Sequence, residues 1–391
     1  MKHESSRRNF LRAGLIMPAA GLVSSTTEAR RFQSSPGVSY RTLGKTGLKV
    51  SSVGFGTGFN PKPEVVARAI DLGVNYFDTA RIYGDSERIF GTAIKGKRDK
   101  ILISTKTGGR TKEEIFQQME LSLQALGTDY VDVYLLHAKD SPESVNDDMI
   151  GAMDALKKQG KARNIGLSTH DPNNVVDVVM KSGKLDVVQL TYSYPIGGMY
   201  RENAIKKLNA AGIGLVAMKV VIAISGIRMM EEFAKGKTLM NMGIDFSVKK
   251  SGEACVSAIK WALLNSAIGT AIPDHNNIAN LEMNVRAMTE PYTAKDERLL
   301  YALNEQMRPL YCRMCYECRG QCRHGLPITD TLRYLAYNDF GGNYHQARQN
   351  FSELPREARD VRCADCSSCT VRCPAGVAVR ERMIRAQELL A

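Results

Sequence analysis

From Tyr40 to about Glu305, short runs of β-branched and other apolar residues alternate with longer stretches in which apolar positions recur every three or four residues. The short runs predict strands at Val53–Thr57, Asn75–Asp78, Ile101–Thr105, Val131–Leu136, Ala162–Leu167, Val187–Leu190, Gly214–Met218 and Gly269–Ile272. The longer ones predict helices between them, among them Lys112–Leu126 and Asp147–Gln159. Eight strand–helix units over residues 39–305 predict an α/β fold, a (β/α)8 barrel. Beyond this point the alternation stops. Residues 306–391 predict a small, mainly helical second domain, with Asp330–Asn338 as a helix and Gly341–Asp360 as a link.

Charge changes this picture little. The formal charge is +12, and residues 1–31 hold six Lys/Arg against two Glu. No basic run interleaved with aromatics is present, which argues against nucleic acid as a partner. Residues 306–391 carry thirteen arginines and no lysine, an inventory suited to offsetting clustered negative charge.

That negative charge has an evident source. Eight of the nine cysteines fall in two runs, Cys312-x2-Cys315-x2-Cys318-x3-Cys322 and Cys363-x2-Cys366-x2-Cys369-x3-Cys373, displaced by 51 residues. Gly325 corresponds to Gly376 and Ile328 to Val379, so the likeness extends past the ligands. Structural zinc, the alternative, prefers two separated Cys-x2-Cys pairs. Disulfides fit poorly, because cysteines so closely spaced cannot readily reach one another. The duplicated pattern resembles the bacterial two-[4Fe–4S] ferredoxins, in which the fourth cysteine of each run ligates the other cluster. That resemblance implies one cluster on Cys312, Cys315, Cys318 and Cys373, and another on Cys363, Cys366, Cys369 and Cys322. The ninth cysteine, Cys255, reads as a core thiol.

The amino end reads Ser6-Arg7-Arg8-Asn9-Phe10-Leu11-Arg12, followed by a weakly apolar stretch from Ala13 to Val23. A span of that length is short of the ~20 residues needed to cross a bilayer. It resembles a twin-arginine export signal over residues 1–31, with a Ser/Pro/Gly-containing linker over 32–38. The expectation is a periplasmic or otherwise extracytoplasmic protein, exported folded around its cofactors, with no stable membrane anchor.

In a barrel of this kind reactive side chains gather at the carboxyl ends of the strands. Those ends supply Asp78, Tyr83 in the following loop, Lys106 and His137. The segments Tyr40-Arg41-Thr42-Leu43-Gly44-Lys45-Thr46-Gly47, Phe77-Asp78-Thr79-Ala80-x-x-Tyr83-Gly84, Ser104-Thr105-Lys106 and Leu135-Leu136-His137 resemble the aldo-keto reductases. The resemblance implies a barrel that interconverts a carbonyl and an alcohol. Tyr83 would give or take the proton, and Lys106 would ease that transfer. Asp78 would hold Lys106, and His137 would hydrogen-bond the substrate oxygen. It also implies NAD(P)H as hydride carrier, with Ser168 and Gln189 on the nicotinamide carboxamide and Asn284 on the adenine. Asp274 and Asn280 stand at the Lys and Arg positions that neutralise the NADPH 2′-phosphate in relatives, and an acid there disfavours that phosphate. Thr169 replaces an asparagine, and Met218-Lys219 replaces the aromatic that stacks on the ring. The clusters imply a redox partner protein. The alternative is a catalytically silent barrel serving as a docking platform for a ferredoxin-like electron carrier.

Overall fold

Parallel strands follow one another around a closed ring in chain order. The computed structural model describes residues 37–196, 200–221, 224 and 251–391. The expected export signal, and all but the end of the linker, lie outside the described residues. A short antiparallel hairpin comes first, β1 (Tyr40–Thr42) and β2 (Lys49–Ser51). The ring is β3 (Phe55–Gly56), β4 (Tyr76–Asp78), β5 (Leu102–Thr107), β6 (Val131–Leu136), β7 (Ala162–Thr169), β8 (Val187–Thr191), β9 (Gly214–Met218) and β10 (Ile268–Ala271). Closure is made by Gly54 N–H donating to Ala271 O at 2.8 Å and Ala271 N–H donating to Ser52 O at 2.9 Å.

Around the ring run α1 (Pro63–Asp71), α2 (Ser86–Ala93), α3 (Lys112–Leu126), α4 (Asp147–Lys158), α5 (Pro172–Ser182), α6 (Glu202–Ala210), α7 (Ser251–Leu264), α8 (Ile278–Val285) and α9 (Ala294–Met307). The helices start and stop where local chemistry dictates. Thr111 and Glu114 form a capping box at the start of α3, which ends at Gly127 in the left-handed region. Asn146 caps α4 by accepting from Met149 N–H. Ile115, Met119, Leu123 and Leu126 turn to the sheet. Strands β5, β6 and β8 are buried along their whole length, including polar positions such as Ser104, Lys106, Asp132 and Gln189 that find partners inside the barrel.

Every strand falls within two residues of its expected bounds: β5 and β7 each run two residues further at their carboxyl ends, and β3 is shorter than Val53–Thr57. Here Gly54 and Gly56 approach residues 270–274 closely, and a Cβ on Gly56 would lie 2.8 Å from Asp274 Oδ1. The hairpin, not expected from the pattern, lies under the amino ends of β9 and β10. Leu43 fills the space left by Gly214 and Gly269, and Gly44 (φ 50°) comes so near Gly214 that a Cβ would clash at 2.3 Å.

The carboxyl-terminal segment folds as α10 (Ile328–Asp339), α11 (Tyr344–Ser352), α12 (Arg356–Asp360) and α13 (Val379–Leu390). The expected link, 341–360, is therefore largely helical. Residues 34–391 form one compact unit, and Tyr311, Met314, Ala336 and Phe340 share the apolar core of the barrel. A separate apolar cluster, including Leu326, Leu332, Val371 and Met383, surrounds cysteines of both runs. Asp339 on α10 accepts from Arg382 at 2.5 Å and Arg385 at 2.9 Å, tying α13 to α10. Among the described residues no helix is long and apolar enough to cross a membrane.

Candidate active site and cysteine cavities

The four residues expected to carry the chemistry meet at the carboxyl end of the barrel. Asp78 ends β4, Lys106 lies near the end of β5, His137 follows β6, and Tyr83 sits in the loop before α2. Lys106 is 1% exposed; its Nζ donates to Asp78 Oδ2 at 2.6 Å and to Thr79 O at 2.7 Å. Asp78 Oδ1 accepts from Ser104 Oγ at 2.9 Å, and Gln189 Nε2 lies 3.4 Å from Oδ2. A buried ion pair is retained at a desolvation cost, and removing one partner strands the other, typically at about 3–5 kcal/mol.

Lys106 Nζ stands 5.5 Å from the centre of the Tyr83 ring. The His137 ring meets the Tyr83 ring edge-on at 5.8 Å, and Phe59 packs against Tyr83 at 4.9 Å. The Tyr83 phenol is pushed well above its ordinary range by burial, then by the charges of Asp78 and Asp274 and by Tyr337. Tyr83 is thus a fully protonated donor at neutral pH. His137 is held well below its ordinary value by burial, Lys106, His170 and Lys219, so its imidazole is neutral. Its Nδ1 is buried without a hydrogen-bond partner.

The expected nicotinamide contacts divide. Gln189 lies at the floor of the mouth with Oε1 buried and unpartnered, as an acceptor awaiting an amide donor would be. Ser168 Oγ accepts from Ala138 N–H at 2.9 Å, and Thr169 Oγ1 turns away to Asp140 Oδ1 at 3.2 Å. Asn284 is buried with Nδ2 3.4 Å from His275 Nδ1. Asn280 starts α8, where its N–H is capped by Asn277. Asp274 is exposed and faces Gly56.

Sequence reasoning did not foresee that the cysteine-bearing segment walls this mouth. Arg333 on α10 is 7% exposed and donates to Asp140 Oδ2 at 2.7 Å, to Asp330 Oδ1 at 2.9 Å and to His170 Nδ1. Tyr337 Oη lies 3.4 Å from His170 Nε2, and the Lys219 ammonium rests 4.4 Å from the Tyr337 ring centre. Lys219 has φ 60°, unusual for a side-chain-bearing residue, and burial, then Arg333, lowers its pKa to about 8. The available signal was chemical: Asp140, His170 and Lys219 follow three different barrel strands, where reactive groups gather.

Residues 54–238 match the model of the Aldo/keto reductase family, a stretch that holds Asp78, Tyr83, Lys106, His137, Ser168 and Gln189. Over this stretch the barrel is similar to the aldo/keto reductases. The uncharacterized oxidoreductase YqkF of Bacillus subtilis is 35% identical over 38% of this chain, and the chain spans about half (54%) of YqkF. L-galactose dehydrogenase of Arabidopsis thaliana is 28% identical over 65% of this chain and 89% of its own length. The holo form of aldo-keto reductase AKR11C1 from Bacillus halodurans has the same fold, with a TM-score of 0.55 and 24% identity over 68% of this chain and 96% of its own.

Beyond the matched stretch, the eight clustered cysteines line two cavities, four to each. Cys312, Cys315, Cys318 and Cys373 line one; Cys322, Cys363, Cys366 and Cys369 line the other. The fourth cysteine of each run has crossed to the other's cavity. Among the described residues no three His, Cys, Asp or Glu groups converge closely enough to hold a single metal ion. The thiols are instead spread around two chambers walled by Ile328 and Val379, which border both. Cys255 is buried on α7, within the barrel core, as expected.

Proposed function

We propose that this protein is an oxidoreductase that interconverts a small carbonyl compound and its alcohol in the barrel, while two [4Fe–4S] clusters in the carboxyl-terminal segment relay electrons. The observation that carries the first half is the Tyr83 phenol, kept protonated between Phe59 and His137 beside the buried Lys106–Asp78 pair. In the reducing direction Tyr83 donates its proton to the oxygen that gains charge, and neutral His137 hydrogen-bonds that oxygen. Lys106, fixed by Asp78, supplies the positive field in which Tyr83 can become phenolate. In the oxidising direction the same groups take the proton back.

A bound nicotinamide would supply or accept the hydride. The unpartnered Gln189 Oε1 suits its carboxamide, whereas Thr169 is already engaged with Asp140. Asp274 and Asn280 favour a dinucleotide without a 2′-phosphate. For the clusters, support comes from the two sets of four thiols in the crossed pairing. Clusters there would carry one electron each, and two together match the pair held in a hydride. The twin-arginine resemblance supports export to the periplasm, where a redox partner protein would exchange electrons with the clusters.

Anaerobic titration with NADH and with NADPH, followed through the visible absorption of the clusters, tests the reading. Bleaching by NADH, and less by NADPH, is expected. If a chemical reductant bleaches the clusters while neither dinucleotide does, nicotinamide is not their donor.

A further inference from the structure

The two cysteine runs share one spacing but not one backbone. In the first, Met314 and Tyr316 lie at φ 52° and 61°, left-handed positions that a residue with a side chain holds only where the surroundings enforce them. Alternation of this kind turns successive N–H groups inward and forms the anion-binding concavity found around iron–sulfur sites. Met314 N–H donates to Cys312 Sγ at 3.4 Å. The second run opens instead as a 3-10 turn, Cys363–Asp365. Arg313 and Met314 are buried, whereas Ala364, Asp365, Ser367 and Ser368 are exposed. One cavity is therefore inner, set against the barrel, and the other is outer.

A buried cation joins the inner loop to the barrel. Arg201, wholly excluded from solvent, donates through one terminal nitrogen to Met314 O at 2.7 Å and to His170 O at 2.7 Å, with Thr191 Oγ1 3.4 Å away. Its Nε and other terminal nitrogen are buried and unpartnered. Arg313, 4% exposed, likewise keeps one terminal nitrogen unpartnered. The carboxylate of Asp171 is engaged by Arg319 at 3.0 Å. Leaving a guanidinium dry and half-bonded is expensive unless an anion completes its surroundings.

We propose that Arg201 makes the inner four-cysteine site the higher-potential of the two, and so the one that trades electrons with the barrel. The proposal rests on the cluster reading above. One-electron reduction takes a cubane with its four thiolates from a charge of about −2 to about −3. A cation in the unscreened interior stabilises that added charge and raises the potential. The arginines at the outer loop act from the solvent side, where water and salt weaken them. Among them, Arg323 donates to Ser368 O, Arg372 to Cys369 O and Arg380 to Cys366 O. Arg201 also bonds the carbonyl of His170, which follows the end of β7 and adjoins Thr169, so one side chain spans cysteine loop and reductase mouth.

Electron paramagnetic resonance during an anaerobic redox titration of the full chain tests this, with iron content measured on every sample. Two midpoint potentials are expected. Arg201→Gln should lower the higher one and leave the other in place, Arg201→Lys should keep the two apart, and Arg380→Gln should move only the lower one. The proposal is overturned if Arg201→Gln, at undiminished iron, moves the lower potential, both or neither. If that variant sheds iron, Arg201→Lys decides, and loss of the separation there overturns it. A wild-type protein without iron would instead sink the cluster reading, and with it this proposal, before any potential is measured.

Discussion

The barrel mouth and the cysteine cavities are built on opposite plans. At the mouth the charged groups of the expected catalytic set have partners within the protein: Lys106 is matched by Asp78 and Thr79 O, and Asp78 by Ser104. In the inner cavity four thiols face a shared space beside buried cations with unpartnered nitrogens. The first arrangement holds its own geometry. The second would be completed by the clusters proposed above, whose charge together with the thiolates is negative. The difference teaches where ligand dependence should reside, and it can be broken at either end.

The largest effect is expected at Tyr83. Tyr83→Phe removes the proton donor but leaves the packing on Phe59 and His137, so turnover should fall by about 10²–10⁴ at unchanged thermal stability. Steady-state rates beside a melting curve check both halves, and loss of stability equal to loss of rate would refute the assignment. Lys106→Met should act differently. It leaves Asp78 charged and buried, and a loss of about 3–5 kcal/mol is expected in denaturant unfolding, along with the activity.

Removing iron by anaerobic chelation should separate the two regions. Hydrogen exchange should then rise in α10 and α13, which border the cavities, and stay slow in β5 to β8. Because α10 also carries Arg333 and Tyr337, the mouth should loosen on that side alone. Equal protection with and without metal would mean that the cysteine segment is as self-sufficient as the barrel.

The smallest effect is a stability limb in acid. Asp296 accepts from Ser257 at 2.6 Å, Lys260 at 2.7 Å and Thr293 at 2.7 Å. Burial opposes its ionisation, but these donors outweigh burial and hold the carboxyl below the ordinary range. A depressed folded-state pKa gives stability that is present above the ordinary carboxylate pKa and lost as pH falls through the folded value. The denaturant midpoint should therefore drop below about pH 4 in the wild type, and Asp296→Asn should flatten that part of the curve.

Much of this was legible in the chain because strong local rules wrote it. Buried parallel strands are dominated by apolar and β-branched residues, and Val131–Leu136 and Gly214–Met218 agree with the structure residue for residue. The crossed cysteine sets follow the ferredoxin-like spacing. What could not be read was long-range. No local pattern says that Arg333 reaches Asp140 across 193 positions, or that Arg201 bonds Met314 across 113. The surroundings of the Tyr83 phenol were out of reach for the same reason: they include Asp274 and Tyr337, far away in sequence. The hairpin under the barrel escaped notice because its strands are three residues each, too short for a periodic signal.

One measurement reaches the central claim directly: iron and acid-labile sulfide per chain in protein purified without oxygen, with zinc measured on the same sample. Two cubanes require about eight iron and eight sulfide, with little zinc. Stoichiometric zinc without sulfide, or a metal-free chain with intact α10 and α13, would contradict the account. The carboxyl-terminal segment would then be a scaffold for the barrel mouth and not an electron relay.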